Sequence, residues 1–344
     1  MSNPTSAPGL TVAVTGATGN LGTAVVDALA ADDRVGAILA IARRAPDPDA
    51  WSPPKTRVAA ADIARDDLAP LFEGVDVVVH LAWQFQPTRD PIATWNANVV
   101  GAMNVFDAVA AARVPALVHA SSVGAYAPGP KDRPVDESWP THGWQGAAYT
   151  REKSYLERVL DGFEAAHPSV RVVRMRPGFV FREEAATEQR KLFGGPLVPA
   201  RLVRPGLIPL FPDVPGLVLQ GVHTEDVGRA FAAAATTEVA GPFNVAADPV
   251  IAPRTFADVL GARLFPVPAG AVRLALDALF TARLVPTDPG LFDAVLRLPV
   301  MNTDRARTEL GWTPRYTARD ALAEFVRGVH TVADAPTPPL SDHT

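Results

Sequence analysis

Tyr149 and Lys153 have side chains of the types, and at the spacing, that could carry out acid/base catalysis. Residues four apart lie one turn from each other on the same face of a helix. A free tyrosine ionises near pH ~10, and a neighbouring ammonium favours the phenolate, so we expect Lys153 to lower the pKa of Tyr149. The pair would then act as a general acid/base that moves a proton on or off an alcohol oxygen.

Three glycines follow the first strand-like run of the chain. The apolar residues 11–15 predict a buried strand, and Gly16, Gly19 and Gly22 come directly before a helical pattern. Strand, glycine turn and helix in this order are the context of a dinucleotide site. Glycines allow the backbone to approach a pyrophosphate closely, and the helix N-terminus holds its charge. The alternative is a glycine-rich turn that binds no ligand.

The composition narrows the class of protein and its partners. The net charge is −5 and no basic block occurs, so we expect no nucleic-acid partner. Because the chain has no cysteine, disulfides, thiolate zinc sites and cysteine nucleophiles are excluded; we predict no metal site and a cytoplasmic location. The first residues do not resemble a secretion signal and no apolar run could span a bilayer, so we expect no membrane partner.

Strand-like and helix-like runs alternate through the first half of the chain. Strands are predicted at 11–15, 35–42, 56–60, 75–81, 116–121 and 170–176, and helices at 20–31, 93–112 and 147–166. The strands are near-continuous apolar runs, as expected where both faces of a sheet are covered. The alternation predicts an α/β fold with a Rossmann-type doubly wound parallel sheet.

The alternation fails near residue 180, where proline and glycine become frequent and four arginines occur: Arg182, Arg190, Arg201 and Arg204. We interpret this region as a smaller substrate-binding lobe, whose arginines either bind a phosphate or are solvated. Residues 222–231 and 243–246 are expected to return to the sheet. The predicted organisation is a Rossmann domain over 1–178 with returns near 222–247, a lobe over 179–221 and 248–332, and a disordered tail over 333–344.

The chain resembles the extended short-chain dehydrogenase/reductase family, which includes nucleotide-sugar epimerases and dehydratases. The resemblance runs from residue 11 to about residue 329. It rests on motifs in the family's order, namely Gly16-x-x-Gly19-x-x-Gly22, Asp62-Ile63, His80-Leu81-Ala82, Asn98-x-x-Gly101, Ser121 to Tyr126, Tyr149-x-x-x-Lys153, Arg176-Pro177, His223-x-x-Asp226 and Leu310-Gly311-Trp312-x-Pro314.

The resemblance implies a site and a mechanism. Tyr149 would exchange the proton of the substrate oxygen, Lys153 would lower the pKa of Tyr149 and hold the nicotinamide ribose, and Ser122 would bond the same oxygen. The alternative for Ser122 is a serine that caps a loop at a strand end. The implied cofactor-binding residues are Gly16, Thr18, Gly19, Asn20, Leu21, Gly22, Arg43, Arg44, Asp62, Ile63, Leu81, Ala82, Trp83, Asn98, Tyr149, Lys153 and Pro177.

Departures from the family pattern point to a less polar substrate. Val123 and Gly124 replace the Asp-Glu pair of dehydratases, and Phe179 and Leu219 replace an asparagine and an arginine that nucleotide-sugar members carry. Aromatic residues lie near the predicted site; the alternative is that they belong to the core. The candidate substrate contacts are Phe85, Ser122, Trp144 and Phe179.

The second predicted strand indicates the cofactor. It ends in Arg43 and Arg44, where NAD-dependent members carry an acidic residue that bonds the ribose hydroxyls. Asp32 and Asp33 precede the strand and cannot reach that ribose. Because an arginine can pair with a 2′-phosphate, NADP is favoured over NAD; the alternative is that both arginines are surface charges.

These observations predict an NAD(P)-dependent oxidoreductase that transfers hydride between NADP(H) and a small, rather apolar alcohol or carbonyl compound. A nucleotide-sugar epimerase and a non-catalytic NADP-sensing regulator are the alternatives. Related enzymes commonly dimerise through the helices predicted here at 93–112 and 147–166, so we expect a homodimer. Val99, Met103 and Phe106 form an apolar stripe that could face either a partner or the sheet.

Overall fold

The computed structural model describes residues 9–86, 89–193 and 206–331, together with residues 333, 335–338 and 340. The strands in these parts of the chain are β1 (Leu10–Thr15), β2 (Val35–Ala42), β3 (Thr56–Ala60), β4 (Val77–His80), β5 (Ala116–Ala120), β6 (Pro134–Val135), β7 (Arg171–Pro177), β8 (Phe179–Phe181), β9 (Leu210–Asp213), β10 (Gly221–His223), β11 (Gly241–Val245), β12 (Arg263–Pro266) and β13 (Val300–Met301). The helices are α1 (Asn20–Ala30), α2 (Pro91–Trp95), α3 (Gly101–Ala111), α4 (Ala148–Ala166), α5 (Ala186–Phe193), α6 (Thr224–Thr236), α7 (Pro253–Leu260), α8 (Ala269–Thr281), α9 (Pro289–Arg297), α10 (Asp304–Glu309) and α11 (Ala318–Thr331), with a π-helical turn (Asn96–Val100) between α2 and α3.

Seven parallel strands of the described chain form one central sheet in the order β11-β7-β5-β4-β1-β2-β3. The chain leaves β1 in one direction toward β2 and β3, and later continues on the other side of β1 with β4. In such doubly wound sheets, ligands bind outside the carboxyl ends of the strands where the order reverses. The predicted fold class is therefore confirmed, and the crevice between β1 and β4 is the expected place for a site.

The central strands are buried on both faces, which explains their nearly continuous apolar sequences. All residues of β4 and β5 are buried. One apolar cluster joins the sheet to α1 and α6, and a second joins its other face to α3 and α4. The edge strand β3 is largely exposed. Two helical layers thus fix the sheet whose carboxyl edge carries the site.

The structure confirms two predicted strands to the residue and corrects one region. β2 and β3 span the predicted ranges, and β11 joins the sheet where 243–246 was expected to return. The prediction that 222–231 rejoins the main sheet is wrong. There, β10 pairs only with β8 in a separate two-stranded sheet, and α6 begins at Thr224. Val227 and Phe231, four residues apart, lie on the buried face of α6.

Residues outside the main sheet form short strand pairs and helices. Beyond β8 and β10, the pairs are β9 with β12 and β6 with β13. Of the tail predicted to be disordered, the described Thr337 and Leu340 are buried and Pro338 lines a large cleft. No helix in the described parts of the chain is both long and apolar enough to cross a membrane.

Candidate active site

The turn between β1 and α1 has room only for glycine at two positions. Gly16 has a φ of +71°, and a Cβ there would lie 2.7 Å from the Cα of Ala82. A Cβ on Gly22 would lie 2.1 Å from the carbonyl oxygen of Gly16. At Gly19 the nearest atom lies 3.5 Å away, and no side chain caps α1. The turn therefore fits the backbone-lined cradle that a dinucleotide pyrophosphate needs at a helix N-terminus.

A cleft of about 820 Å³ lies in front of this turn. Every residue predicted to bind the cofactor lines it, from Gly16 after β1 to Pro177 at the end of β7. Three of the four predicted substrate contacts also line it: Phe85, Ser122 and Phe179. The cleft is large enough for a dinucleotide and the reacting part of a substrate side by side.

Trp144 is the predicted substrate contact that the structure does not bring to the cleft. Its ring packs beside the guanidinium of Arg297, whose Cζ lies 4.1 Å from the ring centroid. Arg297 is the last residue of α9, so Trp144 helps to attach that helix rather than to line the cleft. This contact agrees with the alternative interpretation, in which Trp144 is an ordinary packing residue.

Arg43 and Arg44 lie exposed at the carboxyl end of β2 and line the same end of the cleft as Asp62. Nη1 of Arg43 donates a hydrogen bond to Oε1 of Gln84 at 3.1 Å. Asp32 precedes the other end of β2, where it pairs with Arg34 at 2.7 Å. The cations, and not the acidic residues of that turn, therefore line the cleft at the carboxyl end of β2.

Tyr149, Ser122 and Lys153 meet in the middle of the cleft. The Tyr149 hydroxyl donates to Oγ of Ser122 at 2.8 Å, and this Oγ also accepts the backbone N–H of Gly124 at 3.0 Å. Nζ of Lys153 donates to the carbonyl oxygen of Ala120 at 2.7 Å. Ser122 thus caps the turn after β5, as the alternative interpretation expects, and also contacts the tyrosine.

The pKa of Tyr149 is raised in the structure and not lowered as expected, because burial outweighs any effect of the Lys153 ammonium. Burial raises the pKa of Tyr149 to about 12; the Ser122 hydrogen bond opposes this and the charge of Glu152 adds to it. Burial lowers the pKa of Lys153 to about 7. The reason is geometric: Lys153 directs its hydrogen bond to a backbone carbonyl, so for both side chains the loss of water dominates.

Asn98 fixes the loop that follows β4. Its Oδ1 accepts the N–H of Gln84 at 2.7 Å, and its Nδ2 donates to the Gln84 carbonyl at 2.9 Å. Nδ2 also donates to Glu152 at 2.7 Å, and Glu152 accepts a second bond from Thr94 at 2.7 Å. Since all of these groups except the Gln84 backbone belong to helices around the sheet, the loop that carries Trp83 and Phe85 is held in one position.

Two helices contribute cleft residues that the sequence did not predict, because α5 and α9 reach the cleft only through tertiary packing. These residues are Glu188, Gln189 and Leu192 of α5 and Leu291, Ala294 and Val295 of α9. Burial raises the pKa of Glu188 to about 7. Nothing in the sequences of α5 and α9 distinguishes these six cleft residues from those on an ordinary solvated helix face.

Of the four arginines of the proline-rich region, Arg182 and Arg190 lie in the described chain, and neither lines the cleft. The Arg182 side chain is only 12% exposed, and its Nη2 donates to Oγ1 of Thr23 at 3.0 Å while Nε lies 3.8 Å from Glu184. The prediction that Arg182 is solvated is therefore wrong. Arg201 and Arg204 lie outside the described residues.

The replaced family positions have structural consequences. Gly124 packs against the tyrosine of the site: a Cβ there would lie 2.7 Å from Cε1 of Tyr149. Val123 lines the cleft beside it. Leu219 packs into an apolar cluster of the lobe and pairs with Ile251 by backbone hydrogen bonds. Val123 and Gly124 therefore give the cleft no side chain that could transfer a proton, whereas Leu219 is not among the residues that line it.

The doubly wound sheet, the glycine turn and the Tyr-Lys pair on α4 define an NAD(P)-dependent enzyme of the short-chain dehydrogenase/reductase class. Residues 12–205 match the NAD dependent epimerase/dehydratase family. The chain is 30% identical over 331 residues to a 3-diazoavenalumate denitrifying reductase of a Streptomyces species, covering 90% of this chain and 98% of the relative. The chain therefore belongs to the NAD-dependent epimerase/dehydratase family.

Two further comparisons extend the similarity over almost the whole chain. An uncharacterized protein of Mycobacterium tuberculosis is 28% identical over 332 residues, covering 92% of this chain and 83% of the relative. Among solved structures, the Thermus thermophilus UDP-glucose 4-epimerase in complex with NAD has the same fold, with a TM-score of 0.68 at 20% identity. That match covers 93% of this chain and 99% of the epimerase chain.

Proposed function

We propose that the chain is an NADP(H)-dependent oxidoreductase that reduces a small, rather apolar carbonyl compound or oxidises the matching alcohol. The observation that carries this proposal is the 2.8 Å hydrogen bond between Tyr149 and Ser122 in the middle of the cleft. The two hydroxyls define one place where a substrate oxygen can receive bonds from both. The reductase name of the Streptomyces relative also supports net hydride transfer.

The residues of the cleft fit a nicotinamide dinucleotide. The turn at Gly16 and Gly19 would hold the pyrophosphate, Asp62 the adenosine end, Arg43 the 2′-phosphate and Lys153 the nicotinamide ribose. When bound, the cofactor supplies or accepts the hydride. The chain's own residues bind the substrate, orient it and move the proton.

Tyr149 is proposed as the general acid for carbonyl reduction. The hydroxyl, whose pKa burial raises to about 12, is protonated at neutral pH and can give its proton to a carbonyl oxygen. Ser122 would hold the same oxygen by a hydrogen bond while the proton moves. Lys153, as an ammonium, would stabilise the tyrosinate that remains.

The walls around Tyr149 support an apolar substrate. We propose that residues 179–221 and 248–332 form the substrate-binding lobe. The apolar residues that line the cleft near it are Phe179, Val180, Phe181, Leu192, Leu291, Ala294, Val295, Leu298 and Phe325. Among the described lining residues, the cations are Arg43, Arg44 and Lys153, none of which belongs to that lobe. A substrate diphosphate would therefore have no cationic partner on the described lobe wall.

The second candidate is a nucleotide-sugar epimerase, which the shared fold with UDP-glucose 4-epimerase favours. The two candidates are separated by a turnover screen of purified protein with NADPH against apolar ketones and aldehydes, and with UDP-sugars in the presence of NAD⁺ or NADP⁺, since epimerisation needs an oxidised cofactor to accept the hydride first. We expect oxidation of NADPH with the ketone or aldehyde panel and no interconversion of UDP-sugars. Epimerisation of a UDP-sugar without net NADPH consumption would establish the second candidate instead.

We further propose a homodimer formed through α2, α3 and α4. Val99 and Phe106 are buried against the sheet, so two residues of the predicted stripe do not face a partner. Exposed apolar side chains remain on these helices: Ile92, Trp95, Val100, Met103 and Tyr155. Such a patch on adjacent helices is typical of a subunit interface.

Light scattering at micromolar concentration tests this assembly. We expect twice the 36.4 kDa chain mass for the wild type and the mass of a monomer for Ile92→Glu, because the glutamate would be desolvated in the interface. Leu274→Glu on α8, which is exposed to the same extent as Ile92, is the matched control and should remain dimeric. A monomer mass for the wild type rejects the proposal.

A further inference from the structure

Trp83 contacts both members of the Tyr-Lys pair. Nζ of Lys153 lies 3.4 Å from the centroid of the Trp83 ring. The same ring meets the Tyr149 ring edge to face, with the centroids 5.6 Å apart and the planes at 81°. An ammonium within ~6 Å of an indole face is attracted by the negative face of the ring, and the attraction is greatest where water is excluded. Lys153 is only 4% exposed, so this condition holds.

The position of Trp83 is set by a network that does not include Tyr149 or Lys153. Trp83 directly precedes Gln84, whose backbone N–H and carbonyl are both bonded to the side chain of Asn98. Asn98 is in turn bonded to Glu152 on α4. The loop is therefore anchored to the same helix that carries the Tyr-Lys pair, and the indole is held over the ammonium.

The other charged and titratable groups around Lys153 supply little free negative charge to balance its buried ammonium. Glu152 and Glu157, on its own helix, favour the ammonium, but Glu152 is engaged by Asn98 and Glu157 by Arg176. From the sheet, His80 of β4 and His119 of β5 face it, both buried. Burial lowers the pKa of both imidazoles, so they are neutral at pH 7 and supply no negative charge.

We infer that Trp83 is a positioning residue of the active site: its indole face stabilises the Lys153 ammonium, and its edge-to-face contact fixes the ring of Tyr149. The inference rests on the proposed role of the Tyr-Lys pair. Without the indole, the ammonium would retain one hydrogen bond, to the Ala120 carbonyl, in a site removed from water. Lys153 would then lose its proton at lower pH, and the tyrosinate left by proton transfer would lose its neighbouring charge.

The test is a pH titration of the lysine Cε resonances by NMR in ¹³C-lysine-labelled protein, which needs neither substrate nor cofactor. The chain has four lysines, and Lys153→Met assigns the resonance by its disappearance. We expect the Lys153 pKa to fall by about one unit in Trp83→Leu, a tenfold change in the protonation ratio. In Trp83→Phe, which keeps a weaker aromatic face, the fall should be smaller.

Phe85→Leu is the matched control, because Phe85 stacks on Tyr149 at 5.3 Å from the same loop and its replacement also removes an aromatic ring. It should leave the Lys153 pKa unchanged. An unchanged or higher Lys153 pKa in Trp83→Leu overturns the inference, as does an equal fall in Phe85→Leu. If a substrate is found, the alkaline pKa of the kcat/KM profile should fall most in Trp83→Leu, less in Trp83→Phe and not at all in Phe85→Leu. Absence of turnover would contradict the proposed function and leave the result of the lysine titration standing.

Discussion

Replacing Tyr149 with phenylalanine is expected to lower turnover at least ~100-fold while the protein stays folded. The ring is packed between Trp83 and Phe85, whose centroids lie 5.6 and 5.3 Å away, and phenylalanine preserves both contacts. Only the hydroxyl is lost, and with it the proton that the substrate oxygen would receive. Steady-state kcat/KM with a carbonyl substrate from the panel, together with thermal unfolding of both proteins, measures the effect.

Tyr155→Phe is the control for this change, because Tyr155 lies on the same helix with its side chain 42% exposed. Its turnover should match that of the wild type. Lys153→Met should lose both turnover and cofactor affinity, since it removes the ammonium beside the tyrosinate and the group proposed to hold the nicotinamide ribose. If Tyr149→Phe turned over the substrate at the wild-type rate, the proposed proton transfer would be wrong.

The parts of the site that follow from local sequence could be predicted. Gly22 is required by a backbone contact within the turn and Gly16 by its positive φ, and the glycine spacing between a strand-like and a helix-like run placed that turn between β1 and α1. Tyr149 and Lys153 share a helix face because residues four apart always do. Parallel strands buried on both faces are near-continuous apolar runs, and β2, with six of its eight residues buried, was found to the residue. The edge strand β3 was also found to the residue although it is largely exposed.

What the sequence could not supply depends on contacts between distant segments. The pKa of Tyr149 is set by burial, which raises it, by the Ser122 hydrogen bond, which lowers it, and by the charge of Glu152; burial and the Ser122 contact are not visible in the Tyr-x-x-x-Lys spacing. Glu188 reaches the cleft only because α5 packs across it. Val222 and Val227 look equally apolar in sequence, yet one lies in a short strand and the other in a helix.

The wild-type protein is expected to bind NADPH more tightly than NADH. Arg43 and Arg44 stand exposed at the end of β2 in the cleft, where a 2′-phosphate would meet them. A charge-assisted contact contributes about 1.5–3 kcal/mol, or roughly ten- to a hundred-fold in affinity. Because Arg43 also bonds Gln84 and both side chains are solvated, we expect the lower end of that range. Fluorescence titrations with both dinucleotides measure the ratio, which should shrink as salt is added.

Arg43→Asp should erase or invert this preference, because it removes the guanidinium and places a carboxylate against the phosphate. The double change with Arg44→Asp should act more strongly, since Arg44 lines the cleft beside Arg43. Arg254→Asp, at an exposed arginine on α7 outside the cleft, changes the net charge equally and should leave the NADPH to NADH ratio as it is. If the wild type bound NADH as tightly as NADPH or more tightly, NAD would be the favoured cofactor. Arg43 and Arg44 would then be surface charges that do not distinguish a 2′-phosphate from a 2′-hydroxyl.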